Sequence, residues 1–296
     1  MAKKPVLDRD VMRLFDGYVH GEMTRREFLD RAAAFTTSGV AAATLLGSLS
    51  PNYALAQQVD PDDASISASY KKYASPEGAG VMSGYFVRPR VVQHKLPAVL
   101  VIHENRGLNP YIEDVTRRLA VAGFIAFAPD ALTPLGGYPG DDDTGRELQR
   151  QRDRDEMIED FVSAIEFLQE HPDSTGKVGA VGFCFGGGMV MRLAVRLPGL
   201  AAGVAFYGRH PAAEEAASIK APLMLHHAGL DERVNATWPD FEAGLKSAGS
   251  KFVNHDYADE NHGFHNDTTP RYDEEAAELA WHRTLDFFVK HLELET

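Results

Sequence analysis

A single cysteine set among glycines, Gly182-Phe183-Cys184-Phe185-Gly186, constrains this chain more than any other stretch. The apolar run Lys177-Val178-Gly179-Ala180-Val181 enters it, and Gly187-Gly188-Met189-Val190, compatible with a helix, leaves it. A strand that turns sharply into a helix and carries a reactive side chain at the tip is a nucleophile elbow. Glycines are needed there because the nucleophile's backbone is strained and neighbouring elements pass too close for a Cβ. Most such turns carry serine; here Cys184 is the only cysteine of the chain. A thiol suits attack on an activated ester or lactone, because its thiolate is reachable near neutral pH. An isolated buried cysteine is more often a small apolar filler, and the glycine spacing is what moves the reading toward catalysis.

A catalytic thiol needs a base, and the base needs an orienting partner. In proteins that use this elbow, the acid follows the nucleophile in sequence and the histidine comes last. Pro222-Leu223-Met224-Leu225-His226-His227 reads as a buried strand whose exit loop holds Asp231, at the sheet edge where α/β proteins build their sites. Phe252 to Tyr257 reads as the next strand, and the loop Asn261 to Asp267 after it offers His262 as general base. Taken singly, Asp231 could cap the following helix and His262 could be a surface-loop histidine; the order Cys184, Asp231, His262 argues for a triad. Pro97-Ala98-Val99-Leu100-Val101-Ile102 is a further apolar strand, running into His103-Glu104-Asn105-Arg106-Gly107-Leu108. The loop after that strand and the residue after the nucleophile are the places for oxyanion-stabilising N–H groups. These fall on the backbones of Asn105 and Phe185. Glu104, taken alone, is a pocket carboxylate.

His103 to Leu108, Gly182 to Gly187, Gly229-Leu230-Asp231 and His262-Gly263-Phe264 together resemble the dienelactone hydrolase family of α/β-hydrolases, carboxymethylenebutenolidase-like enzymes. The resemblance spans Ser69 to the C-terminus. It implies an α/β fold with a mostly parallel central sheet flanked by helices on both faces. It also implies a Cys-His-Asp triad working through an acyl-enzyme, with Glu104 pairing the resting thiol until substrate displaces it. Arginines hold the substrate carboxylate in family members that act on dienelactones, one of them four residues after the catalytic histidine. That position is Asn266 here, so a small ester or lactone is the expected substrate. Arg106 and Tyr207 are candidate substrate contacts, with core packing the competing reading for Tyr207, and Arg209 lies in another loop near the predicted site.

At 44% hydrophobic and 25% charged residues the chain can bury a core. Its net charge of −13 disfavours nucleic acid or an anionic membrane as partner. One cysteine excludes an internal disulfide. Adjacent strand residues point to opposite faces, so His226 and His227 cannot easily share an ion, and neither a metal nor another cofactor is expected. Residues 57–68 read as a linker and 69–296 as the enzyme. Strand–helix alternation runs through it, with one long helix from about Arg146 to Glu170 whose charged run Arg150 to Glu156 is a solvated face, and a last helix from Glu274 to Leu292.

Residues 1–56 admit two readings. Thr24-Arg25-Arg26-Glu27-Phe28-Leu29, a weakly apolar run from Ala32 to Leu49 and Ala54-Leu55-Ala56 form a twin-arginine signal, with cleavage expected after Ala56. The partners are then the Tat export machinery and a small-molecule substrate, and the location is periplasmic or secreted. Against this, Asp10 to Val19 is helix-like and amphipathic, an unusually long lead for a signal. The alternative is a cytoplasmic protein that keeps the arm, packed on a neighbouring subunit of a homo-oligomer. Two other functional classes compete with hydrolysis: an exported non-catalytic binding or assembly protein, and thiol redox chemistry, weakened by the absence of a resolving cysteine.

Overall fold

Every residue of Leu96-Pro97-Ala98-Val99-Leu100-Val101-Ile102 is buried, as expected of a strand covered on both faces of a sheet. In the computed structural model, which describes residues 9–35 and 39–294, eight strands form that sheet. They are β1 (Ile66–Ser75), β2 (Gly80–Pro89), β3 (Leu96–Ile102), β4 (Ile125–Pro129), β5 (Ser174–Phe183), β6 (Ala202–Phe206), β7 (Leu223–Ala228) and β8 (Phe252–Tyr257). Their order is β1-β2-β4-β3-β5-β6-β7-β8. β1 and β2 enter as an antiparallel hairpin, β2 pairs antiparallel with β4, and all later pairings are parallel.

The helices are α1 (Arg9–Val19), α2 (Arg25–Ala32), α3 (Gly39–Leu49), α4 (Pro110–Val121), α5 (Asp142–Gln151), α6 (Arg154–Glu170), α7 (Phe185–Arg196), the single-turn α8 (Glu232–Asn235), α9 (Trp238–Ala248) and α10 (Glu274–Leu292). Alternate residues of β3 feed two cores. Ala98, Leu100 and Ile102 meet α6, α7 and α9 through Phe161, Val190 and Phe241. Val99 and Val101 meet α4 and α10 through Ile112, Val115 and Phe288. This is an α/β-hydrolase-like sheet with helices on both faces. Among the described residues, no helix is long and apolar enough to cross a membrane.

The helix expected from Arg146 to Glu170 is two helices, α5 and α6, broken at Arg152 and Asp153. The Asp153 side chain accepts hydrogen bonds from the N–H groups of Asp155 and Glu156, capping α6 and competing with a continuous helix. Nor is the charged run there wholly solvated. Arg152 is buried, its Nη2 2.8 Å from Asp160 Oδ2. Asp160 also accepts from Ser75 Oγ at 2.6 Å and from the Ala79 N–H at 2.9 Å, pinning the β1–β2 turn to α6. Arg152→Met should therefore cost about 3 kcal/mol, because it strands a buried carboxylate. Urea unfolding of the two proteins measures it; equal midpoints would show the pair to be dispensable.

The sheet starts at Ile66, inside the stretch expected as linker. Parts of the N-terminal segment, residues 1–8 and 36–38, lie outside the described residues. Most of the remainder is helical. α1, α2 and α3 share a small core of Val11, Phe15, Phe28, Ala32, Leu46 and Leu49. Thr24 opens α2 with a capping box, its hydroxyl accepting from the Glu27 N–H while Glu27 reaches back to the Thr24 N–H. The arm packs against its own chain: Tyr18 hydrogen-bonds to Asp143, Tyr53 to Asp142 at 2.7 Å, and Arg271 lies over the Phe15 ring.

Candidate active site

β5 delivers the chain to Cys184 at full burial, and α7 begins on the next residue. Cys184 has φ 56° and ψ −113°, a strained conformation for a residue with a Cβ. The turn is possible because its flanking glycines let backbones touch. A Cβ on Gly182 would lie 2.1 Å from the Gly186 carbonyl oxygen, and one on Gly186 would lie 2.2 Å from that of Ile102. The elbow is thereby wedged between its own helix and β3.

Asp231 follows β7, and His262 lies in the loop after β8, so two neighbouring strand ends bring them together. His262 Nδ1–H donates to Asp231 Oδ2 at 2.5 Å. Asp231 Oδ1 accepts from the Val234 N–H at 3.1 Å, so this carboxylate both caps α8 and orients the histidine. Cys184 and His262 share one cavity of about 810 Å³ with Asn105, Phe185, Tyr207 and Arg209. Tyr207 is itself in the left-handed region, at φ 37°, and its ring centroid is 4.9 Å from that of His262.

Electrostatics favour an ion pair at rest. Burial pulls the Cys184 thiol up, but the His262 and His20 imidazoles outweigh it and hold the thiol well below its ordinary value. Burial would lower His262, yet Asp231, Cys184 and Asp16 push it up to about 10. Asp231 is lowered: burial raises it, and His262 overrides that.

Two expected contacts differ in the structure. Glu104 is fully buried, but its Oε2 lies 3.0 Å from Arg106 Nη2 and accepts from Asn266 Nδ2 at 3.1 Å. No hydrogen bond joins it to Cys184; the cationic guanidinium holds it elsewhere. Arg106 is equally occupied. Its Nη1 donates to Asp142 Oδ2 at 2.6 Å, so it is a buried cation between two carboxylates. Asn266, standing where the resemblance has an arginine, fits this arrangement because its amide donates to Glu104.

The sulfur's partner comes from a region that sequence reasoning did not connect with the site. His20, just past the end of α1, places Nε2 3.4 Å from Cys184 Sγ. Its Nδ1 lies 2.8 Å from the Asp16 carbonyl oxygen and 3.2 Å from Asp16 Oδ1. Asn105 Nδ2 donates to the Val19 carbonyl at 2.7 Å, tying the arm to the loop after β3. A lone histidine 164 residues from the cysteine carries no local signal of this. Potential ligand atoms of His20, Cys184 and His262 all lie within 4.8 Å of one another, a donor set that suits zinc in type. Arg233 Nη2, however, lies 2.9 Å from His20 Nε2, and a cation at that nitrogen opposes a metal.

Comparisons with known proteins bear on the family and the fold. A family model described as "Dienelactone hydrolase family" matches residues 82–292, and a second, described as "YqhI-like", matches residues 3–35. The chain is 32% identical over 228 residues to a Saccharolobus solfataricus protein named "Putative carboxymethylenebutenolidase", covering 64% of this chain and 88% of that one. It is 60% identical over 112 residues to the "Putative hydrolase fragment YghX" of Escherichia coli (strain K12), covering 38% of this chain and 96% of the fragment. A crystal structure titled as a putative dienelactone hydrolase from Klebsiella pneumoniae superposes with a TM-score of 0.67 at 25% identity, covering 76% of this chain and 99% of that one.

Proposed function

The chain belongs to the dienelactone hydrolase family, and from that premise we propose that this carboxylic ester hydrolase cleaves a small ester or lactone through Cys184, His262 and Asp231. The observation that carries the triad is the 2.5 Å contact between His262 and Asp231 beside a thiol opening on the same cavity. The Cys184 thiolate attacks the carbonyl carbon. The developing oxyanion is met by the Asn105 and Phe185 amides; Phe185 begins α7, so its N–H belongs to the first turn that lacks intrahelical partners. Each such donor is worth roughly 3 kcal/mol in the transition state. The His262 imidazolium gives its proton to the leaving alkoxide, and the acyl-enzyme remains. His262, now neutral, takes a proton from water, hydroxide attacks the acyl carbon, and the product leaves as the carboxylic acid, which gives its proton to bulk water, as the thiolate and imidazolium are restored.

The cavity wall carries Arg146, Arg150, Arg192 and Arg209 in a chain of net charge −13. This supports a substrate with an anionic group, which the wall would attract against the overall field. A panel of p-nitrophenyl esters and simple enol lactones, with neutral and carboxylate-bearing acyl groups, tests the reading. Turnover that favours the anionic members is expected; no turnover of any member by folded protein would overturn it. The pH profile carries a sign as well. The acid limb of kcat/KM should lie well below the titration of a free thiol, because the group that must lose its proton is Cys184. The alkaline limb should fall near 10, where His262 loses the proton it must donate. A single limb at the ordinary thiol value would remove the ion pair from the mechanism.

Two opposed proposals concern the N-terminus. Twin-arginine export rests on Arg25-Arg26 and the apolar run behind them, and expects a mature terminus at Gln57. Retention rests on the arm's own small core and its seat against the active-site face, and it is the reading we favour.

A further inference from the structure

We propose that the N-terminal arm is a working part of the active site, and that its His20, positioned by Asp16, is a second catalytic imidazole holding the Cys184 sulfur as thiolate. This rests on Cys184 being the nucleophile. Three observations carry it. Among the described residues, His20 places Nε2 within hydrogen-bonding reach of the sulfur, at 3.4 Å, while the buried carboxylate of the neighbouring loop, Glu104, is taken by Arg106 and Asn266. The ring is built in rather than resting there by chance: Asp16 holds its Nδ1, and Asp16 is itself flanked by Arg233 Nε at 3.5 Å and Arg271 Nη1 at 3.8 Å. Finally, His20 and Cys184 line the same cavity of about 810 Å³, so the arm forms a wall of the site and leaves the thiol open to it.

The arrangement repeats the Asp231–His262 dyad on another side of the sulfur. The two rings meet edge to face with centroids 4.7 Å apart. With Nδ1 against Asp16, the His20 Nε2 is the atom that faces the sulfur. A protonated His20 donates from Nε2 to the thiolate and sits between two anions. The charged groups around it are Asp16 and Cys184, which favour the imidazolium, and Arg233 and His262, which oppose it; Glu22 shares the cavity wall. Burial also opposes it, yet Cys184 and Asp16 together raise the ring above an ordinary histidine. Arg233 is partly solvated and its Nε also lies 3.5 Å from Asp16 Oδ2, so its charge is shared with that carboxylate. Only a proton moves to reach this resting arrangement: the S–H bond of the thiol breaks, an N–H bond forms on an imidazole, and two rings share the stabilisation of one sulfur.

Alkylation of Cys184 by iodoacetamide tests this without any substrate, so its outcome is independent of whether ester turnover is found. Second-order rate constants would be measured against pH for the full-length wild type, His20→Gln and Asp16→Asn. The acid limb is expected to move up by about one unit in His20→Gln, equivalent to about tenfold less thiolate at a pH on that limb. Asp16→Asn keeps the backbone acceptor for Nδ1 and removes only the charge, so its limb should move in the same direction by less; it also carries the test if His20→Gln does not fold. Limbs superimposable on wild type in folded variants would overturn the proposal, since a merely structural arm leaves the thiol's titration alone. An intact-mass measurement on protein from native cells adds an independent check: a chain retaining residue 20 supports the assignment, and cleavage after Ala56 overturns it.

Discussion

Cys184→Ala is expected to abolish ester turnover, with kcat falling by a factor on the order of 10⁶, the loss seen when the nucleophile of a triad is removed. The reasoning is specific to the acyl-enzyme route. Without sulfur there is no atom at the elbow to form the covalent intermediate, and the oxyanion donors and cavity contribute only what positioning can. The protein should remain folded, since the side chain lost is small and the elbow's geometry is set by Gly182 and Gly186. A second signature separates the thiolate from a bystander thiol. His262 is pushed up to about 10 partly by Cys184, so its imidazole should titrate lower in the alanine protein, by NMR of the ring protons, while Asp231 keeps it from returning to an ordinary value. Turnover that survives the substitution would reject Cys184 as nucleophile; an unmoved His262 titration would reject the resting ion pair.

Features encoded by neighbouring residues were legible. The elbow is one, because a strained residue between backbone-touching turns demands glycines at fixed offsets, and those appear as letters. β3 and β5 are others, as uninterrupted apolar runs leave few alternatives once both faces must be buried. The break between α5 and α6 was hidden, because Arg150 to Glu156 is a run of helix-compatible charges and only the side-chain geometry of Asp153 ends one helix and starts the next. The partners of Glu104 and Arg106 were hidden for a related reason: chain order places both in one loop but says nothing of which way each side chain turns. His20 was hidden most completely. Its contact with Cys184 depends on how α1 docks, a tertiary choice made by Tyr18, Phe15 and Asn105 across long separations.

Asp231→Asn should lower kcat by about 10³ to 10⁴ with little loss of fold, a scale set by triads in which the same change leaves the shape intact. Two roles of this carboxylate come apart in the variant. The capping role survives: the asparagine carbonyl oxygen can still accept from the Val234 N–H that Asp231 Oδ1 now holds at 3.1 Å, so α8 keeps its first turn and thermal stability should shift only slightly. The orienting role inverts. With its oxygen on Val234, the amide presents NH₂ to His262 Nδ1, which must then accept a hydrogen bond where it now donates one at 2.5 Å. The imidazole proton is driven to Nε2, the nitrogen that must be free to take a proton from water in deacylation. The missing charge also removes the largest influence raising His262, so the alkaline limb of the pH–rate profile should move down from near 10. Burst kinetics locate the defect: acylation should slow, and any acyl-enzyme formed should persist longer than in wild type, because the neutral ring is in the wrong tautomer to activate water. A variant with wild-type kcat would mean that Asp231 serves α8 alone.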